Sequence, residues 1–270
     1  MNITFIGGGN MATALIGGML AKGFDATAIH VVDPAPAARQ RLSESLGVAC
    51  FESVRQLASF DDVIVLAVKP QQMRAVSADL RGRLSDQLVL SIAAGIRLGD
   101  LSRWLGEHDR LARCMPNTPA LIGQGISGLY ANQAVSAGQR DQAQRILEAV
   151  GQVVWVREEG DLDAVTAVSG SGPAYVFYFI EAMQQAAIEG GLDAQIAREL
   201  VLQTVRGATE LAAQSAEPVA LLRERVTSKG GTTERALATL QQHQVASTIV
   251  QAVHAARVRA AELGEELGSA

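Results

Sequence analysis

The stretch ITFIGGGNMATALIGGMLAKG, residues 3–23, limits the fold more than any other part of the chain. A short apolar run enters three glycines, and the glycines open a segment with helical spacing. Leu15 and Met19 fall near one face of that segment, and Gly23 is placed to stop it. A strand turning at once into a helix is the first half of a βαβ unit, and the same alternation continues. AIHVVDP, VACF, DDVIVLAVKP, QLVLSIAAG and LARCMPNTP read as strands, PAARQRLSESLG as a helix between two of them, and VVWV at 153–156 as a closing edge. Strands alternating with helices predict a parallel sheet.

Near residues 159–161 the pattern changes. SGSGPAYVFYFIEAMQQAAIEGG reads as a long buried helix opened by Pro173. Ile196, Leu200, Val201, Val205, Ala208 and Leu211 repeat at helical spacing in the next segment, and VASTIVQAVHAARVRAAELGEEL closes the chain as another helix. Two domains are expected, residues 1–160 as α/β and 161–270 as all-α. The last helix offers Ile249, Val250, Val253, Ala256 and Val258 as apolar surface that a small helical domain does not bury alone, so an obligate dimer is expected.

Apolar residues make up 48% of the 270 and aromatics 4%, so the core must come from Ala, Val, Leu and Ile. The net charge of −5, with no basic block, gives nucleic acid no electrostatic foothold. No charged segment precedes the first apolar run, and AYVFYFI is too short to cross a bilayer, so a soluble cytoplasmic protein without membrane contact is expected. Cys50 and Cys114 stand far apart in no metal or disulfide pattern, and His30, His108, His243 and His254 form no ligand cluster; no metal is expected.

Six motifs carry possible chemistry. Gly7-Gly8-Gly9-Asn10-Met11-Ala12 fits GxGxxA, in which the first glycine permits the turn and the second lets backbone approach a pyrophosphate at a helix N-terminus. Asp33 ends the second strand, where an acidic residue bonds the adenosine ribose and opposes a 2′-phosphate. Arg39 and Arg41 follow within reach of such a phosphate, and Asp33 equally suits a cap for a helix beginning at Pro34. Ala67-Val68-Lys69-Pro70 ends the strongest strand, where open sheets bind ligands; Lys69 is either part of that site or a solvated charge. Arg113 to Pro119 brackets Asn117 and Thr118 between prolines, as a rigid turn or as a wall for nicotinamide. Ser169-Gly170-Ser171-Gly172-Pro173-Ala174-Tyr175 prepares a closely packing helix start.

The sixth motif is Gly230-Gly231-Thr232-Thr233, which interrupts a helical region. It is either a capped turn or an anion site of backbone amides at a positive helix end, with a threonine hydroxyl beside it. The β-hydroxyacid dehydrogenases also pair a glycine turn with an all-α domain, but they carry a catalytic lysine where this chain reads Tyr175-Val176-Phe177-Tyr178. A non-catalytic NAD(P)H sensor, the other alternative, has no need of an anion clamp.

Taken together, IGGGNMA, LAVKP, SIAAG, RCMPNTPA, DAVTAVSGSGPAY and VTSKGGTTERAL resemble the pyrroline-5-carboxylate reductase family, in the family's order and over nearly the whole chain. The resemblance implies an N-terminal Rossmann-like doubly wound sheet followed by an all-α C-terminal dimerisation domain. It implies reduction of the C=N bond of 1-pyrroline-5-carboxylate to L-proline with NADPH or NADH, and homodimers that assemble into decamers. Cofactor positions would be Gly7, Gly8, Gly9, Asn10, Met11, Asp33, Ala67, Val68, Lys69, Pro70, Ala94, Pro116 and Asn117. Substrate positions would be Glu159, Ser228, Gly230, Gly231, Thr232 and Thr233, with Thr233 catalytic at the ring nitrogen and the amides of Gly231 and Thr232 on the carboxylate. The chain departs from the family at Lys229, where a proline is usual.

Overall fold

The structure, a computed structural model, describes residues 1–269. Eight strands form one sheet: β1 (Ile3–Ile6), β2 (Ile29–Val32), β3 (Ala49–Phe51), β4 (Val63–Leu66), β5 (Leu88–Ser91), β6 (Leu111–Met115), β7 (Gly125–Ala131) and β8 (Gly151–Trp155). Their order is β3-β2-β1-β4-β5-β6-β7-β8. The strands β1 to β6 pair in parallel, β7 runs antiparallel to β6, and β8 is parallel to β7.

The central strands are mostly apolar because both faces are covered, and β4 is apolar throughout. On β4 alternate residues serve opposite cores. Val63 and Val65 join Leu15, Ile16 and Met19 of α1 (Asn10–Ala21), while Ile64 and Leu66 join Met73 and Leu80 of α3 (Met73–Leu80) and Leu98 and Leu101 of α4 (Leu98–Trp104). Gly23 ends α1 as expected, with φ +86°. The Phe24 N–H donates to Met19 O at 3.0 Å and the Gly23 N–H to Leu20 O at 3.0 Å, a Schellman closure.

The edge expected at residues 153–156 is β8. It is held by α5 (Ala137–Glu148), whose Gln144 accepts from Trp155 Nε1 at 2.9 Å and whose Arg140 lies 4.1 Å from the Trp155 ring centre. Its neighbour β7 is absent from the sequence reading. Gly125 and Gly128 disguise it as a turn, yet both are packing requirements. A Cβ on Gly128 would lie 2.7 Å from Val165, and one on Gly151 would collide with the Gly125 backbone.

The chain divides by contacts into Met1–Ser171 together with the end of the chain from Ala256, and Gly172–Ala255. This differs from the division expected at residues 160 and 161. The helix α6 (Asp161–Val165) and the turn after it pack on β6 and β7, and the last helix, α11 (Val245–Ser269), ends in the first unit. There Gly264 lies against the Arg97 guanidinium, and Leu267 packs against the core beside Gly95.

The second unit holds α7 (Gly172–Glu189), α8 (Ala194–Gln214), α9 (Val219–Arg225), α10 (Thr232–Gln242) and the start of α11. Within one chain α7 is not the buried helix expected. It packs against α8 but leaves Phe177 64% and Tyr178 76% exposed. Ile249 and Val250 of α11 are each 55% exposed.

Candidate active site

Strand order reverses between β1 and β4, and the segments leaving the carboxyl ends of β1, β2, β4, β5 and β6 contain the expected cofactor residues, Met11 and Asn10 included. Gly7 has φ +103°, and a Cβ there would come within 2.6 Å of Ala67 O, so the turn and LAVKP fit only without a side chain. Gly9 is the N-cap of α1, with no side chain capping it, and a Cβ added to Gly9 would meet no atom within 4 Å. An uncapped helix start beside an open glycine suits a pyrophosphate, so the residues present fit a dinucleotide. Lys69 is exposed beside Pro70, and Val68 and Ala94 are half-buried.

Asp33 does not cap a helix at Pro34. The helix α2 (Pro36–Leu46) begins two residues later, with Pro36 in its first turn and Ala35 as N-cap. Instead, Asp33 Oδ2 accepts from the Gly8 N–H at 2.7 Å and Oδ1 from the Ala35 N–H at 2.8 Å. Arg39 Nη1 donates to the carbonyls of Asp33 at 2.7 Å and Pro34 at 2.8 Å, and Arg41 Nη2 to Gly8 O at 3.0 Å.

Two expected ligand residues are engaged elsewhere. Glu159 Oε1 accepts from the Leu98 N–H at 2.8 Å, the first amide of α4, and from Arg113 Nη1 at 3.2 Å. Arg113 is 3% exposed, and burial holds its guanidinium below the usual range while Glu159 pulls the other way. Arg97 and Asp163 pair beside it at 2.7 Å, and Asp163 Oδ1 is buried without a partner. Glu159 therefore neutralises a buried arginine and closes a helix end. Asn117 spends both ends of its amide on backbone, donating to Ser169 O at 3.3 Å and accepting from the Ile126 N–H at 3.0 Å. It ties the loop after β6 to β7 and to the Ser169–Gly170 turn, while Pro116 is buried behind it. That turn is an i→i+5 bulge, the Ser171 N–H donating to Thr166 O at 2.8 Å. The sequence reading missed Arg97 and Asp163; an arginine in the apolar strand LARCM was the available signal, since buried charges require partners.

In the second unit, Gly231 is the N-cap of α10 and no side chain caps it. Gly230 has φ +75°, and a Cβ on Gly231 would lie 2.5 Å from Ser228 Oγ, so both glycines are needed for the turn. The Gly231 N–H, expected on a carboxylate, donates to Ser228 O at 3.0 Å, and the Gly230 N–H donates to Glu234 Oε2 at 2.7 Å. The amides opening α10 at Thr232 and Thr233 have no side-chain cap, with Thr233 half-buried and Thr232 exposed, a geometry that suits an anion. Lys229 is exposed, and nothing in the structure explains why it stands in place of proline.

A doubly wound sheet with a dinucleotide-fitting turn, joined to an all-α region, fits the class of nicotinamide-dinucleotide oxidoreductases. Residues 2–95 match the model described as NADP oxidoreductase coenzyme F420-dependent, and residues 159–263 match that described as pyrroline-5-carboxylate reductase dimerisation. The chain is 48% identical to pyrroline-5-carboxylate reductase from Pseudomonas aeruginosa over 267 residues, 98% of each chain. The solved pyrroline-5-carboxylate reductase from Coxiella burnetii superposes with a TM-score of 0.92 at 42% identity, covering 97% of this chain and 98% of that one. The Plasmodium falciparum enzyme, solved with NADP bound, gives 0.87 at 30% identity, covering 98% of both. The chain belongs to the pyrroline-5-carboxylate reductase family.

Proposed function

We propose that the chain reduces the C=N bond of 1-pyrroline-5-carboxylate to L-proline with NADPH or NADH, the final step of proline biosynthesis. It acts in the cytoplasm as a homodimer, with a decamer of five dimers as the higher assembly. The observation that carries this reading is the likeness to reductases of that name along nearly the full length, through both units. Among the described residues no helix is long and apolar enough to cross a membrane, in keeping with that location.

When bound, the reduced dinucleotide supplies the hydride. Gly7, Gly8, Gly9, Asn10 and Met11 would hold its pyrophosphate, Asp33 its adenosine ribose, and Ala67, Val68, Lys69, Pro70, Ala94 and Pro116 would line its path. The amides at Thr232 and Thr233 would hold the substrate carboxylate, aided by the positive end of α10. The Thr233 hydroxyl would orient the ring nitrogen. An imine that arrives protonated needs no side-chain acid, which agrees with Tyr175 and Val176 standing where a lysine would be required for a ketone.

Steady-state assays of the purified protein test the reading directly. Turnover of the imine with either dinucleotide, and none of 3-hydroxy acids, is expected; the reverse pattern would replace it with a hydroxyacid dehydrogenase. Thr233→Ala should lower kcat by about tenfold or more, roughly 1.4 kcal/mol in the barrier, while leaving dinucleotide affinity unchanged.

A further inference from the structure

We infer that Asp33 makes this chain prefer NADH to NADPH, a step that rests on the dinucleotide reading above. The sequence left the matter open between an acidic residue and two arginines. The geometry separates them.

The Asp33 carboxylate is fixed from two sides, by the Gly8 N–H at 2.7 Å and the Ala35 N–H at 2.8 Å. It therefore belongs to the glycine turn itself and cannot swing aside without releasing a backbone amide of the pyrophosphate loop. Each carboxylate oxygen retains a free lone pair, so it can still accept from a ribose hydroxyl. A phosphate on that hydroxyl offers no proton and brings like charge against a carboxylate that is held in place.

The arginines do not redress this. Arg39 bridges the carbonyls of Asp33 and Pro34 at 2.7 and 2.8 Å, and Arg41 holds Gly8 O at 3.0 Å. Both guanidiniums brace the backbone around the same turn. Those bonds use only Nη1 of Arg39 and Nη2 of Arg41, so other N–H groups stay available to a 2′-phosphate, but the fixed Asp33 carboxylate still opposes it. A neutral side chain at position 33 would remove the repulsion and leave the arginines where they are.

The test is titration calorimetry of the whole protein with NADH and with NADPH, without imine, alongside kcat/KM for each. NADH should bind at least tenfold more tightly, about 1.4 kcal/mol. Asp33→Asn keeps an oxygen for the Gly8 amide and loses the charge; it should shift the ratio of dissociation constants toward NADPH by tenfold or more, and Asp33→Ser should do the same. Equal or tighter binding of NADPH by the unaltered protein would overturn the inference. So would variants that weaken both dinucleotides alike and leave the ratio unchanged. Binding of neither dinucleotide would overturn the cofactor site and this preference together. Tight NADH binding without turnover of the imine would support the preference while refuting the substrate reading.

Discussion

Gly7 and Gly9 sit two residues apart and are glycine for different reasons. Gly7→Ala must bring a Cβ to within 2.6 Å of Ala67 O at φ +103°, so both stability and dinucleotide affinity should fall. Gly9→Ala adds its methyl where no protein atom lies within 4 Å, so the unfolding midpoint should stay in place while dinucleotide affinity drops. Denaturation and calorimetry on the two variants separate the roles; a destabilised Gly9→Ala protein would show that the open face is structural. Glu159 and Arg113 make a second residue-scale case. Glu159→Gln leaves a buried guanidinium without its counter-charge, and since Glu159 is 23% exposed the cost should be on the order of 2 kcal/mol, below the full buried-pair penalty. The urea midpoint reads it, and a rise in substrate KM with no loss of stability would return Glu159 to the substrate. Cys114 is fully buried, and burial pushes its thiol up to about 12 from 9.0. Above pH 9 the unfolded chain sheds this proton and the folded chain does not, so stability declines as pH rises through that window. Between pH 7 and 10 the protein should lose on the order of 1 kcal/mol more than Cys114→Ala does.

At the scale of elements, legibility followed the covalent pattern of each segment. The strands β1, β2, β4, β5 and β6 are readable because a strand buried on both faces is a mostly apolar run, and α1 because Gly23 marks its end. The strand β7 was not readable, because Gly125 and Gly128 are chosen by neighbours remote in sequence: Gly128 makes room for Val165. The same holds in the site. The glycine turn and the GGTT turn announce themselves as backbone requirements, whereas the partners of Glu159, Asn117 and Asp33 depend on how elements pack. The start of α10 shows the consequence. Gly231 is expected from the sequence as an anion donor; its amide here donates to Ser228 O, and the amides of Thr232 and Thr233 follow it at the start of α10. Glu234 holds the Gly230 N–H, so Glu234→Ala should loosen that turn. A kcat/KM for the imine reduced several-fold, with dinucleotide affinity intact, is the expected outcome; equal kinetics would show that the bond is dispensable.

For the whole molecule, the uncovered apolar surface of α11 is the one expected from the sequence, and that of α7 adds to it. Phe177, Tyr178 and Phe179 are adjacent in sequence, so they surround α7 instead of marking one face, which is the pattern of a helix enclosed by others. One chain does not supply that enclosure. A solution mass at micromolar concentration of at least twice 28.4 kDa is therefore expected, and Phe177→Glu should shift it toward the single chain. The central claim is that a hydride passes from the nicotinamide to an imine carbon. It is tested most directly by supplying 1-pyrroline-5-carboxylate and reduced dinucleotide labelled with deuterium at the transferable position. The account expects L-proline carrying one deuterium per molecule, formed in step with dinucleotide oxidation; proline without label, or dinucleotide oxidised with no proline formed, would contradict it.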